Sequence, residues 1–316
     1  KKFLKKIDDI YIFDYKDKVA QEVKNFYKDD PFPNYETSDN KATILSKGDK
    51  NYYTKNLKNF IGHNKKVLEI GAGTSQLSNY LAIGNNNSIV AFDVNFPSLK
   101  LGNIFAKNNK ISNIDFVCGD IFDDIFKDEF FDIVLCNGVL HHTKNTFEAF
   151  KSSIKSLKKN GYVLVGLYNK YGRFRTYIRK YLYKLFGKKY LLLFDPVLRK
   201  INKDSTKKIN SWIRDQYMHP VERSHTFDDV LNWFDQNNVE FVNSYPNCEF
   251  FSNDQNYILD DNLIFKNFFQ QGKKSTHLDR IFSQLLMIFT KSGSEGGLYL
   301  FLGKKKWLYN YVLFLI

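Results

Sequence analysis

The sequence has few cysteines, few arginines and no long apolar run. Its 316 residues contain only three cysteines, and none belongs to a Cys-x-x-Cys pair. This excludes a disulfide-built scaffold and favours a reducing compartment. No stretch approaches the about 20 apolar residues that a membrane-spanning helix requires. Two aspartates interrupt the first ten residues, which excludes a secretory signal there. The chain starts with lysine rather than methionine, which leaves open whether its natural start is included.

Charge is concentrated in one segment. The net charge is +13, from 47 basic and 34 acidic residues. Between Lys170 and Arg214 there are 14 basic residues and two acidic ones, so this segment alone contributes +12. All seven arginines lie at or after Arg173. Because arginine suits bidentate contact with carboxylate or phosphate, we expect this half of the chain to meet an anion. A solvated basic surface is the alternative.

Short apolar runs alternate with helix-like stretches from residue 66 to residue 168. The predicted strands are Lys66–Ile70, Ser88–Phe92, Phe116–Cys118, Phe131–Cys136 and Tyr162–Leu167. The predicted helices between them are Gln76–Ala82, Pro97–Lys107 and Thr146–Leu157. This alternation predicts an α/β fold with a doubly wound, Rossmann-like parallel sheet. Near-continuous apolar strands are typical of a sheet that is buried on both faces.

The remaining segments predict additions to this core. Residues 1–62 are interpreted as a helical and irregular N-terminal cap, before a cofactor-binding core at 63–168. A basic amphipathic insertion is expected at 169–224, with an apolar helix face from Phe174 to Phe186. The core is expected to resume at 225–246, followed by a second insertion at 247–295. Residues 296–316 are expected to form the last strand and a basic, apolar tail.

The most informative motif is a glycine turn between the first predicted strand and its helix. Gly71-Ala72-Gly73 would let the backbone approach a ligand closely and point free amides at it. Asp93 and Asp120 follow the next two strands, and Asn137 follows the fourth. In doubly wound sheets, ligands bind at such strand ends. Gln76 replaces the third glycine of the dinucleotide fingerprint, which disfavours NAD and FAD, and no Gly-Lys-Ser/Thr of a P-loop follows.

Taken together, these motifs resemble those of class I S-adenosylmethionine-dependent methyltransferases. The stretches that carry the resemblance are 67–75, 91–93, 119–121 and 131–142, and the type is similar to the quinone-biosynthesis enzymes. The resemblance implies a seven-stranded sheet with an antiparallel last strand. Ser75 departs from the family, which often has a third glycine there.

The resemblance also implies roles for individual residues. Gly71, Ala72 and Gly73 would pack against the methionine portion of S-adenosylmethionine, and Glu69 would orient its amino group. Asp93, with Val94 beside it, would bind the ribose. Asp120 and Ile121 would contact the adenine, and the carbonyl of Asn137 would contact the amine.

Candidates for catalysis and acceptor binding follow the fourth strand and the basic insertion. His141 and His142 are the candidate bases, and shaping the pocket is their alternative role. We expect His219, Arg223 and His225 to lie over the active-site mouth and Arg173 to meet the substrate. No metal is expected, because the stretch 217–225 has no recognisable ligand signature. In the cap, Tyr35, Tyr27 and Phe32 are expected to cover the site or simply to pack.

The acceptor is the least constrained part of this interpretation. No Asn/Asp-Pro-Pro-Tyr/Phe stretch follows the fourth strand and no Pro-Cys pair occurs, which disfavours amino-group DNA and cytosine-carbon methylation. We expect methyl transfer to the oxygen or nitrogen of a small anionic or amphipathic molecule, in the cytoplasm or at the inner membrane surface. The basic segment and the tail predict peripheral membrane contact. The alternatives are an RNA methyltransferase and a non-catalytic cofactor-binding or membrane-associated protein.

Overall fold

The computed structural model describes residues 3–15, 17–27, 35–201, 206–249 and 261–307. The strands are β1 Phe3–Ile7, β2 Ile10–Phe13, β3 Lys66–Ile70, β4 Ser88–Asp93, β5 Ile114–Cys118, β6 Phe131–Asn137, β7 Leu157–Tyr168, β8 Val239–Tyr245 and β9 Leu298–Lys305. The first helices are α1 Lys18–Tyr27, α2 Lys41–Lys50, α3 Tyr52–Ile61, α4 Gln76–Ala82, α5 Phe96–Asn108 and α6 Thr146–Lys155. The later ones are α7 Phe174–Phe186, α8 Lys188–Phe194, α9 Thr206–Ile213, α10 Phe227–Gln236, α11 Asp261–Phe268, α12 His277–Met287 and α13 Lys291–Ser294.

All these strands belong to one mixed sheet in the order β1-β2-β5-β4-β3-β6-β7-β9-β8. Strands β3 to β7 run parallel, and β9 is antiparallel to both of its neighbours, β7 and β8. The doubly wound α/β core and its antiparallel last strand are therefore confirmed. The expected number of seven strands is wrong, because the described residues form nine.

The two additional strands come from the N-terminal segment, which was expected to be helical or irregular. β1 and β2 form a hairpin around Asp8 and Asp9, whose φ angles are +52° and +67°. Two positive φ angles are typical of the tight turns whose twist matches a hairpin. β2 then pairs in parallel with the edge strand β5. The hairpin forms because this edge has unpaired backbone groups, a tertiary cause that local composition does not reveal.

Two apolar cores lie on the sheet, and a smaller third one holds the basic insertion together. The large cores include Leu57, Leu99 and Leu135 in one and Val134, Phe150 and Phe234 in the other. The third core joins α8, α9 and the turns beside them and includes Leu191, Leu198, Ile209, Ile213 and Tyr217. Across the described ranges, no helix is both long and apolar enough to cross a membrane.

Candidate active site

The glycine turn lies at the carboxyl end of β3, in the wall of a cavity of about 420 Å³. Gly71 has φ +71°, and a Cβ there would overlap the side chain of Val139. Position 71 therefore requires glycine on two grounds. Ser75, at φ +59°, takes the left-handed conformation that glycine would adopt more easily.

The amides of the turn are not available to a ligand, contrary to expectation. Gly71 and Ala72 donate to the carbonyl of Phe92 at 2.8 and 3.0 Å, and Gly73 donates to Asp93 Oδ2 at 2.8 Å. These hydrogen bonds hold the turn in place. The lack of side chains at Gly71 and Gly73 lets a ligand approach the backbone closely. Gly71 and Gly73 line the cavity, whereas Ala72 does not.

The polar residues at the strand ends converge on the same cavity. Asp93, Val94, Asp120, Ile121 and Asn137 all line it. Burial raises the pKa of both the Asp93 and the Asp120 carboxyl groups above their ordinary value. Asn137 Oδ1 is buried and has no hydrogen-bond partner. The carboxyl groups of Asp93 and Asp120 thus supply acceptors in the cavity wall, which suits ribose hydroxyls, an exocyclic amine and a cationic amino acid.

Glu69 does not reach the cavity wall. Its side chain is buried behind the glycine turn, where it accepts a hydrogen bond from the Ser78 hydroxyl. Desolvation raises the pKa of Glu69 to about 7. A direct contact between Glu69 and a ligand in the cavity is absent from this arrangement, and its role in orienting an amino group stays a prediction.

Another part of the cavity wall is built by a π-helical turn at Arg214–Met218, directly after α9. Trp212, Asp215, Gln216 and His219 from this region line the cavity. Their spacing of 3, 1 and 3 residues is that of one helix face. Sequence reasoning identified His219 but missed the other three, although this stripe of polar and aromatic residues was visible at helical spacing.

Helix α1 closes the cavity against this turn. Tyr27 lines the cavity and its hydroxyl donates to Asp215 Oδ1 at 2.6 Å. Next to it, Arg214 Nη2 donates to the carbonyl of Phe26 at 2.5 Å, and the Phe26 ring lies 5.0 Å from that of His219. The cap and the insertion therefore meet over the site, as expected of Tyr27; Phe32 lies outside the described residues.

Arg173 was expected to meet the substrate, but the structure buries it completely. Its guanidinium pairs with both carboxylate oxygens of Glu222, at 3.1 and 2.6 Å, and donates to Gln216 Oε1 at 2.6 Å. It also lies 3.7 Å from the centre of the Tyr168 ring. All its close partners are protein groups, so Arg173 organises the cavity wall by holding Gln216 and does not face the cavity.

His142 and His219 form a stacked pair in the cavity wall. Their ring centres are 3.6 Å apart, with 28° between the planes. Both rings are tied to Val221: His142 Nδ1 lies 2.7 Å from the Val221 carbonyl oxygen, and the Val221 N–H donates to His219 Nδ1 at 3.2 Å. A carbonyl only accepts and an amide N–H only donates, so the two neutral rings adopt opposite tautomers. His142 Nε2 is left as an acceptor and His219 Nε2–H as a donor, and the latter has no partner.

Both rings are held neutral at physiological pH. Desolvation lowers the pKa of His142 to about 4 and, with the neighbouring His142, that of His219 to about 3. His141, the other predicted base, is fully buried, lies outside the cavity wall and has both ring nitrogens unpartnered. Burial lowers the pKa of His141 well below its ordinary value. Of the two candidate bases, only His142 reaches the cavity.

Because these buried histidines are neutral, we expect the folded chain to be less stable at acidic pH. Below pH 6.5 the unfolded chain binds a proton at His219, whereas the folded chain does not, so stability falls as the pH falls. From pH 7.5 to pH 5.0 we expect His219 alone to cost about 2 kcal/mol of the free energy of unfolding. Urea unfolding of the wild type and of His219→Gln at both pH values measures this loss in the free energy of unfolding. The control is His63→Gln, which changes an exposed histidine. An equal loss in wild type and His219→Gln would contradict this assignment.

The other predicted residues support the site from outside its wall. Tyr35 stacks on Phe105 and accepts a hydrogen bond from Asn79, away from the cavity. Arg223 donates to the carbonyl of Thr143, and His225 Nε2 lies 3.0 Å from Thr146 Oγ1. None of these three side chains lines the cavity, and their contact with substrate stays a prediction. Within the described ranges, no group of three or more His, Cys, Asp or Glu side chains is arranged to hold a metal ion.

Comparisons with known proteins agree with this geometry. Residues 61–223, just over half of the chain, match a family model described as a methyltransferase domain. A ubiquinone biosynthesis O-methyltransferase from Pelagibacter ubique is 29% identical over 136 residues, which are 42% of this chain and 52% of the relative. A ubiquinone/menaquinone biosynthesis C-methyltransferase from Proteus mirabilis is 27% identical over 108 residues, 33% of this chain and 43% of the relative. The chain thus spans about half the length of the curated relatives that it matches.

A solved structure supports the fold. PKMT2 from Rickettsia typhi, which has also been solved in complex with AdoHcy, superposes with a TM-score of 0.54 at 16% identity. The match covers 80% of this chain and 52% of that one. At this identity the similarity concerns the fold alone.

Proposed function

The chain belongs to the class I S-adenosylmethionine-dependent methyltransferases, and from this we propose that it methylates a small amphipathic acceptor, at oxygen in preference to nitrogen. One observation carries the proposal. A single cavity is lined both by the carboxyl groups of Asp93 and Asp120 and by the neutral pair His142 and His219. The carboxyl groups suit a nucleoside with a cationic amino acid, and the neutral histidines suit an uncharged hydroxyl.

The residues at the strand ends fit the cofactor. Asp93 and Asp120 would hold the ribose and the adenine, Asn137 the amine, and Gly71 and Gly73 leave room for the methionine chain. When bound, S-adenosylmethionine supplies a methyl group activated by a positively charged sulfur. Because the reaction joins two bound molecules, alignment alone contributes up to about 7–11 kcal/mol in well-oriented cases.

The histidine pair would position the acceptor and remove its proton. His142 Nε2 accepts a hydrogen bond from the acceptor hydroxyl, which directs an oxygen lone pair toward the methyl group. A base of pKa about 4 is weak, but the hydroxyl becomes strongly acidic as its oxygen forms the new bond. The proton therefore passes to His142 late in the transfer. The His219 ring, stacked on His142, keeps the His142 ring in this orientation.

The remaining walls favour an apolar body on the acceptor and exclude water. Val19, Val23, Tyr27 and Trp212 line the cavity between α1 and the insertion. The relative named as a ubiquinone biosynthesis O-methyltransferase supports transfer to oxygen, whereas the other relative is named as a C-methyltransferase. Closing the cavity between Tyr27 and Asp215 strengthens the electrostatic contacts inside it.

An acceptor panel tests this function. With labelled S-adenosylmethionine, we expect phenols that carry an apolar substituent to be methylated at least about tenfold faster than matched compounds without the hydroxyl. Product analysis identifies the methylated atom, and matched anilines test nitrogen. Labelling of RNA in preference to any small molecule would contradict the proposal. Calorimetric binding of the cofactor without turnover on any acceptor would instead favour a non-catalytic protein.

A further inference from the structure

Helix α7 has its polarity reversed relative to an ordinary surface helix. Its buried positions are Thr176 and Arg179, and Arg179 Nη1 donates to the carbonyl of Ser294 at 2.6 Å. Its exposed positions hold most of its large apolar side chains: Phe174, Tyr177, Ile178, Tyr181, Leu185 and Phe186, which are 40–65% exposed. A surface helix normally turns its apolar stripe to the core. This stripe therefore lacks the contact that would account for it within the described chain.

Helix α8 continues the apolar surface. After the break at Gly187, Leu193 and Phe194 are 63% and 54% exposed, and Leu192 is 39% exposed. The ring of Tyr190 lies 4.8 Å from that of Phe194 and 6.3 Å from that of Phe186, so aromatic side chains connect the two helices. Contiguous exposed apolar surface of this kind marks an interaction site.

The same two helices carry only positive charge. Residues 174–194 contain six basic residues and no acidic one. Arg175, Lys184, Lys188 and Lys189 are exposed, and among the described residues none of the four forms an ion pair. Amphipathic helices that combine an exposed apolar stripe with flanking lysines bind at the interface of anionic membranes.

We propose that α7 and α8 dock onto an anionic lipid surface, with their apolar side chains in the interface and their lysines at the headgroups. The surface adjoins the cavity wall, because the Tyr183 hydroxyl lies 3.9 Å from Met218 Sδ in the π-helical turn whose Asp215 and Gln216 line the cavity. Met218 is itself 51% exposed. Docking would therefore bring the cavity wall to the membrane, and it does not depend on which acceptor is methylated.

The composition of the surface favours lipid over its alternatives. A second copy of the chain would bring two faces of equal positive charge together, which costs electrostatic energy. A nucleic acid would be bound through phosphate contacts and stacking on aromatic rings. The surface does carry exposed aromatic rings, but its aliphatic side chains give no stacking surface and suit the acyl boundary of a bilayer: Ile178, Leu185, Leu192 and Leu193.

Co-sedimentation with vesicles tests the proposal on the full chain. We expect binding to phosphatidylcholine vesicles that contain about 30 mol% phosphatidylglycerol. Partitioning to vesicles of pure phosphatidylcholine should be at least about tenfold weaker. Tyr181→Ser/Leu185→Ser/Phe186→Ser and, separately, Lys184→Gln/Lys188→Gln/Lys189→Gln should each weaken binding at least tenfold. The matched control, Tyr52→Ser/Ile104→Ser, removes exposed apolar side chains elsewhere and should bind as wild type does.

A dye at the surface separates lipid docking from the other occupants. The native cysteines are buried, so an environment-sensitive thiol dye will label Phe186→Cys selectively. We expect a polar emission without vesicles and a blue shift with anionic ones. The proposal is overturned if no vesicle is bound, or if the emission is already apolar without lipid because protein covers the face. Salt-sensitive RNA binding that the lysine variant loses and the serine variant keeps, without vesicle binding, would overturn it too.

Discussion

Asp93→Asn is expected to weaken S-adenosylmethionine binding at least about 100-fold. The Asp93 carboxylate lies at the end of β4, in the cavity wall, and each of its oxygens also accepts a backbone hydrogen bond, from Gly73 and from Asn95, at 2.8 Å. Two hydrogen bonds from ribose hydroxyls to a charged acceptor are worth about 1.5–3 kcal/mol each. Their loss corresponds to two or more powers of ten in the dissociation constant.

Isothermal titration calorimetry measures this effect directly and needs no acceptor. Asp115→Asn is the matched control, because Asp115 lies on the neighbouring strand β5 and is exposed. Thermal unfolding of both variants shows whether the glycine turn survives the substitution. Unchanged affinity in a folded Asp93→Asn protein would mean that the cofactor does not use this carboxylate.

His142→Ala is expected to lower kcat by about 100- to 10,000-fold while cofactor affinity stays unchanged. This is the range that a positioned general base contributes. Since the pKa of His142 is lowered to about 4, the activity of the wild type should stay level from pH 8 down to about pH 5. A histidine with an ordinary pKa near 6.5 would already lose activity below pH 6.5.

The kinetics are measured with whichever acceptor the panel identifies. His63→Ala, an exposed histidine far along the chain from the pair, should behave as wild type. His219→Ala removes the ring stacked on His142 and should also lower kcat, because His142 loses its support. A His142→Ala enzyme with a normal kcat, or a wild-type profile that falls near pH 6.5, would refute the proposed proton transfer.

The core of the fold was predictable because its signals are local. Five parallel strands of the sheet were predicted from short apolar runs, and the glycine turn with Asp93 and Asp120 follows from residues that end those strands. The carboxyl ends of parallel strands lie at the same edge of the sheet. Side chains that end or directly follow those strands therefore converge on one cavity. Ser75 at a positive φ likewise agrees with a position where the family often has glycine.

The remainder depends on tertiary contacts that composition does not encode. The hairpin of β1 and β2 exists because β5 has an open edge. Arg173 was interpreted as a surface anion ligand, yet Glu222 lies 49 positions further along the chain and neutralises it in the interior. Asp215 and Gln216 share a helix face in the sequence, but that this face lines the cavity depends on how the π-helical turn packs against α1, where the Tyr27 hydroxyl donates to Asp215.

The attachment of His142 and His219 to the single residue Val221 has a consequence for turnover. His142 follows β6 in the core, whereas Val221 and His219 belong to the insertion. A displacement of the insertion from the core would remove the anchor of His142, whereas the His219 ring would move together with Val221, and Asp93 and the glycine turn would keep their hydrogen bonds. In that open state the enzyme would not transfer a methyl group but could still bind S-adenosylmethionine. The methyl group would therefore not be lost to water between catalytic cycles.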